Sequence, residues 1–350
     1  MPEASIHNIV DNLAKSYQST QLFKLSQGFE GYDETTSHLI KGYLPRNAFG
    51  VVYGASGSYK SFHALSWACS VATGKTWNSK KVTHCNVLYI AGEGGIGVPR
   101  RIKAWATQHI SNEQVENLYR INHPVIFSQS DEVSALLQTI EAHQTAYKQE
   151  FGLIIIDTLA RCFGHACENK AEDMNAFIAA CDRIKAETRA TILVVHHSGK
   201  DADKGARGSS ALRAACDFEY KIERLNEERS YRLICTKAKD DEEAPSQLFE
   251  LSESIVFTDE DGEPIHSLAA LSIGKEDIAP NDVLRPQNAQ KALIVMLADM
   301  ESYGGPVTRT ALRERYKQAG YSPNNFARTL NSLINQGMIM EKGKDEISSP

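Results

Sequence analysis

Three things are missing from this sequence of 350 residues. No run approaches the roughly 18 consecutive apolar residues that a membrane-crossing helix needs. The first residues, MPEASIHNIVDNLAK, hold no basic end followed by an apolar stretch. Both absences argue against membrane spanning and against export. Basic excess is lacking too: 38 Lys and Arg stand against 44 Asp and Glu, a formal charge of −6. No global positive field therefore draws the chain onto nucleic acid, and any such contact must use a local patch. The 7 cysteines are odd in number, scattered, and include no CxxC pair. That usage indicates reduced thiols and a cytoplasmic location, not a disulfide framework. Cys162, His165 and Cys167 offer three soft ligands, with no second cluster to close a tetrahedral zinc site.

What is present is ordinary globular composition, 42% hydrophobic and 23% charged, long enough for one large domain and a small one. From about residue 48 to about residue 257, short apolar runs alternate with longer segments of helical period. That alternation predicts an α/β fold with a mainly parallel sheet and crossover helices. FGVVYG, NVLYIAG, LYRINH, FGLIIID, TILVVHH, FEYKIER and YRLICTK are the predicted strands, several of them apolar on both faces as strands covered on both sides should be. Helices are predicted over Ser61 to Thr73, Val98 to Gln108, Val133 to Gln149 and Glu172 to Arg189. KDDEEAPSQ and DEDGEP read as turns joining late edge strands. Residues 1–47 are read as an N-terminal arm, 48–273 as the α/β core, and 274–288, polar with Pro280 and Pro286, as a linker.

Residues 289–350 show three helical segments followed by a small hairpin, the order of a winged helix. Its third helix would carry Asn324, Asn325, Arg328 and Asn331 toward DNA. The segment Arg285 to Pro350 carries more basic than acidic residues, whereas the rest of the chain is strongly acidic. Docking on a neighbouring protein is the other reading of this module.

Gly54, Ala55, Ser56, Gly57, Ser58, Tyr59, Lys60 and Ser61 follow a strand and open a helix, where a phosphate-binding loop belongs. Backbone N–H groups there point at phosphates, the helix dipole favours their charge, and Lys60 can reach the outer ones. The Ser61 hydroxyl can bind Mg²⁺. Tyr59 departs from the pattern, which has Gly immediately before the Lys. FGLIIID ends in Asp157 at the sheet's carboxyl edge, the Walker B arrangement in which an Asp holds Mg²⁺ together with Ser61. Glu93, one residue past the NVLYIAG strand, is placed to orient and deprotonate the attacking water. Its loop, GEGGIG, also matches the dinucleotide fingerprint GxGxxG, but LYRINHP lacks the acid that NAD binding expects after the next strand. TILVVHH puts His196 and His197 at the same edge, and the loop behind them brings Lys200, Lys204 and Arg207, suited to DNA phosphates or to a neighbour's site.

Taken in order, GASGSYKS, AGEGG, LIIIDT, LVVHHSGK and ARGSSAL resemble the RecA-like P-loop ATPases, and among them the RepA family of hexameric replicative helicases of plasmids and mobile elements. The resemblance covers about residues 40 to 257. It implies an ATP- and Mg²⁺-dependent homohexamer translocating on single-stranded DNA. Lys60 and Ser61 would be the phosphate-loop pair, Glu93 the catalytic carboxylate and Asp157 the Walker B acid. His196 and His197 match the paired histidines at the sensor position, and Arg207 the arginine finger acting in trans. The loops after Asp157 and His197 correspond to central-channel DNA loops. The winged-helix-like part lies beyond this resemblance, and duplex DNA or a protein is its expected partner. A DNA-binding ATPase that regulates or loads other proteins without unwinding shares every one of these residues.

Overall fold

The computed structural model describes residues 26–33, 36–93, 95, 97–164, 168, 170–197, 210–225, 229–275, 289–302, 307–319, 323–335, 339–342 and 345–348. The chain divides into two compact units, Met1–Thr36 and Ser37–Pro350. In the first, the exposed rings of Phe29 and Tyr32 meet edge to face at 5.6 Å.

The second unit opens with β1 (His38–Ile40) and β2 (Leu44–Pro45), a small antiparallel pair. Leu39, Ile40, Tyr43 and Leu44 are buried in the main core, although sequence reading left these residues within an arm. Then follow β3 (Phe49–Gly54), α1 (Lys60–Thr73), β4 (Asn86–Ala91), α2 (Gly97–His109), β5 (Leu118–Ile121), α3 (Ser130–Tyr147) and β6 (Phe151–Asp157). The chain continues through α4 (Leu159–Cys162), α5 (Ala171–Thr188), β7 (Thr191–His197), α6 (Ser210–Ala215) and β8 (Phe218–Arg224). Three further strands complete the sheet: β9 (Ser230–Ala238), β10 (Gln247–Thr258) and β11 (Pro264–Lys275).

The sheet has 9 strands in the order β11-β10-β9-β8-β3-β7-β6-β4-β5. From β8 to β5 every pairing is parallel, and from β8 to β11 every pairing is antiparallel. The α/β class with a mainly parallel sheet is thus the one observed. Pleating explains the continuous apolar runs, because successive side chains point to opposite faces and both faces are covered. Leu153, Ile155, Leu193 and Val195 join one core with Trp67 and Val71 of α1. Ile154, Ile156, Ile192 and Val194 join another with Phe177 and Ile184 of α5.

The DEDGEP turn joins β10 to β11, with Asp259 Oδ1 accepting from the backbone N–H of Asp261 at 3.1 Å and Glu263 at 2.9 Å. Beyond the core come α7 (Ala289–Ser302), β12 (Val307–Thr308), α8 (Arg309–Gln318), α9 (Pro323–Asn335), β13 (Met340–Glu341) and β14 (Glu346–Ser348). The three short strands form one sheet, β12-β14-β13. Leu293, Leu297, Leu312, Tyr316, Leu333 and Ile347 make a separate core there. Thr308 caps α8, its Oγ1 accepting from Ala311 N at 3.1 Å. Among the described residues no helix is long and apolar enough to cross a membrane.

Candidate functional site

The parallel strands share one carboxyl edge, and the candidate residues lie along it. Gly54 ends β3 beside His197 of β7, Asp157 ends β6 beside Val195, and Ala91 ends β4 beside Asp157. The loop from Gly54 into α1 therefore opens on the edge that holds Asp157, and Glu93 stands exposed just past β4.

Lys60 is the first residue of α1 and is only 5% exposed. Its Nζ donates to the carbonyl of Ala55 at 2.7 Å, folding the ammonium back over the loop. Burial pulls its pKa down to about 8, against the charges of Asp157 and Glu93, which favour the protonated form. Ser61 Oγ donates to Asp157 Oδ1 at 3.1 Å, and the other carboxylate oxygen accepts from Tyr89 Oη at 2.5 Å. Burial pushes the Asp157 carboxyl upward; the two hydroxyl bonds pull it back, as does the charge of Arg101, while Glu93 raises it.

Sequence reading missed Tyr89 and Arg101. Tyr89 is buried and pairs with Ile155 across β4 and β6, on the same pleat face as Asp157. Its signal is a single hydroxyl-tipped residue inside an otherwise apolar strand. Arg101, on α2, has its guanidinium over the ring of Phe62, 4.3 Å from the centroid, close enough for its charge to reach Asp157. No pattern in the sequence marks it.

The two histidines do not line one face. Alternation along β7 sends His197 to the α1 side, with Leu193 and Val195, and the fully buried His196 to the α5 side, with Ile192 and Val194. Only His197 shares the side of Lys60 and Asp157, so the expected histidine pair reduces to one residue facing this edge. Gly92 serves close packing: its N–H donates to Asp157 O at 2.7 Å, and a Cβ there would come within 2.9 Å of Arg161 Cβ. Arg207, Lys200 and Lys204 lie outside the described residues, as do Gly94, His165 and Cys167, and the side chains of Asn324, Asn325 and Arg328.

Tyr59, at the N-cap of α1, has φ 73° and ψ 17°, the left-handed region that a glycine enters without penalty. Its ring is held against Phe62 at 6.2 Å and Tyr231 at 5.9 Å, between centroids.

These residues fit a nucleoside triphosphate with Mg²⁺. Ser61 and Asp157 supply hard oxygen donors side by side, the type that Mg²⁺ takes. Among the described residues Ser58 Oγ, buried in the loop, has no hydrogen-bond partner. A Cβ at Gly54 would sit 2.3 Å from Ile222 O and 2.7 Å from Ser58 Oγ, so the loop's first turn is closed to any larger residue.

Residues 18–203 match the AAA_25 family, an AAA domain. Among solved structures, the RadB recombinase is similar over 59% of this chain and 88% of that chain, at 14% identity and a TM-score of 0.44. No curated protein matches the sequence.

Proposed function

The chain belongs to the AAA_25 family of AAA domains, and from that premise we propose that it is an ATPase that moves along single-stranded DNA as a ring and serves as a replicative helicase of a mobile element, in the manner of the RepA family.

ATP with Mg²⁺, when bound, supplies a transferable phosphoryl group and the cation that neutralises its charge. The observation that carries the reading is the convergence of Lys60, Ser61, Asp157 and Glu93 at one sheet edge.

Each residue then has a task. Lys60 would exchange the Ala55 carbonyl for phosphate oxygens, whose negative charge offsets the cost of burying its ammonium. Ser61 and Asp157 would hold the metal, with Tyr89 fixing the carboxylate's orientation. Glu93, exposed past β4, accepts a proton from water at its carboxylate. Arg207 of an adjoining copy in a homohexamer would complete the site, and the loops after Asp157 and His197 would follow the DNA strand. The order of ARGSSAL after LVVHHSGK supports that assignment through its resemblance to the RepA family. The small C-terminal domain, with its helices and three-stranded sheet, would take duplex DNA or a protein.

The test is ATP hydrolysis with and without single-stranded DNA, for the wild type, Glu93→Gln and Lys60→Ala, followed by strand displacement. Stimulation by DNA that both variants lose, together with unwinding, supports the motor. Stimulation without unwinding favours an ATPase that loads or regulates other proteins. Hydrolysis indifferent to DNA overturns the DNA motor.

A further inference from the structure

The strand order dictates which way a bound nucleotide runs. Asp157 and Glu93 follow β6 and β4, which lie on one side of β3; the strand on the other side is β8. A triphosphate whose terminal phosphate faces Asp157 and Glu93 therefore leaves its nucleoside toward β8. That strand runs parallel to β3, with Tyr53 opposite Lys221, so Ile222, Glu223 and Arg224 carry it onward to the same carboxyl edge.

Arg224 is exposed there, and its guanidinium carbon stands 5.0 Å from the centroid of the Tyr59 ring. The basic residues around it are engaged: Lys221 and Arg232 both pair with Glu223, at 3.1 and 3.3 Å. Among the described residues no carboxylate forms an ion pair with Arg224. A guanidinium resting on an aromatic ring keeps its second planar face and its N–H fork for another partner. The pair is seated next to Lys60, since Tyr59 is the residue before it, and the Tyr59 ring is itself wedged against Phe62 and Tyr231.

We infer that Arg224, positioned by Tyr59, contacts the nucleoside end of the bound nucleotide, stacking on the base or donating to the ribose. This inference rests on the reading of the edge as an ATP site. Arg224 thereby acts on what distinguishes a nucleotide from a bare polyphosphate, and Tyr59 is a positioning residue.

Calorimetric titration with Mg²⁺-ATP and with Mg²⁺-tripolyphosphate, which has no nucleoside, separates the possibilities. Arg224→Ala should weaken ATP roughly tenfold while leaving tripolyphosphate within about twofold of wild type. Tyr59→Leu should reproduce that selective loss, and Tyr59→Phe, which keeps the ring, should restore ATP binding. Equal weakening of both ligands in Arg224→Ala would place the guanidinium on phosphate and overturn the inference, as would unchanged ATP binding. Lys60→Ala reports on the underlying reading: it should lose both ligands. Wild-type protein that binds neither ligand, or a Lys60→Ala variant that binds both normally, overturns the ATP site and the inference with it.

Discussion

Replacing Lys60 with Met should make the nucleotide-free protein more stable at neutral pH while destroying its capacity for ATP. Lys60 is 5% exposed, and burial lowers its pKa from 10.5 to about 8. At about 1.36 kcal/mol per pKa unit, holding the ammonium in the folded protein below pH 8 costs on the order of 3 kcal/mol. Between about pH 8 and 10.5 the unfolded chain keeps a proton that the folded chain has released, so wild-type stability rises with pH across that window. Above 10.5 both states are neutral at this residue and the cost is gone. Met has similar length and no charge, and it gives up only the hydrogen bond to Ala55. Urea unfolding of both proteins at a series of pH values isolates the effect, because the other titrating groups cancel in the difference. The variant's advantage should be flat below pH 8 and shrink toward zero by about 10.5. A difference that does not vary with pH, or a variant less stable at pH 7, would refute the reasoning.

Tyr89→Phe removes a donor from Asp157 Oδ2 and leaves a buried carboxylate oxygen short of a partner, so it should cost about 1–3 kcal/mol in urea unfolding. It should also raise the Mg²⁺ concentration needed for half-maximal hydrolysis. His63 is fully buried, with its pKa driven from 6.5 to about 3 by burial. Below pH 6.5 the unfolded chain takes up a proton that the folded chain refuses, so the wild type should lose about 1.4 kcal/mol per pH unit down to about pH 3. His63→Phe should flatten that slope, and equal slopes in the two proteins would count against it. Gly54→Ala drives a Cβ to within 2.3 Å of Ile222 O, and should lower the thermal midpoint and abolish ATP binding together.

What the sequence reveals and what it hides follow from how each element is covered. β3, β4, β6 and β7 are buried along nearly their whole length, so their apolar runs stand out. β10 does not, because its pattern is mixed: Phe249, Leu251 and Val256 are buried, but so are Gln247 and Ser254, while Ile255 and Phe257 face out. The inward polar groups survive through pairing, Ser254 Oγ accepting from Gln108 Nε2 at 2.7 Å and Gln247 Nε2 donating to the Tyr43 hydroxyl. That compensation depends on α2 and on the segment before β3, and no local pattern records it. The same contrast holds at the sheet edge. Lys60 and Ser61 are neighbours in the chain and legible as a loop motif, whereas Tyr89 reaches Asp157 only because β4 pairs with β6.

Tyr59 combines both kinds of information. Its departure from glycine is visible in the sequence, but whether the loop tolerates it depends on the backbone. At φ 73° a side chain costs roughly 1–2 kcal/mol. Aromatic contacts contribute about 0.5–1.5 kcal/mol each, and Tyr59 makes them with Phe62 and Tyr231 in addition to its contact with Arg224. The two effects are of the same size, so the loop keeps the left-handed turn that a glycine would adopt freely. A residue that reads as a defect in a phosphate loop is thereby held in the loop's own geometry, and its ring carries a guanidinium to the edge where the nucleotide would lie.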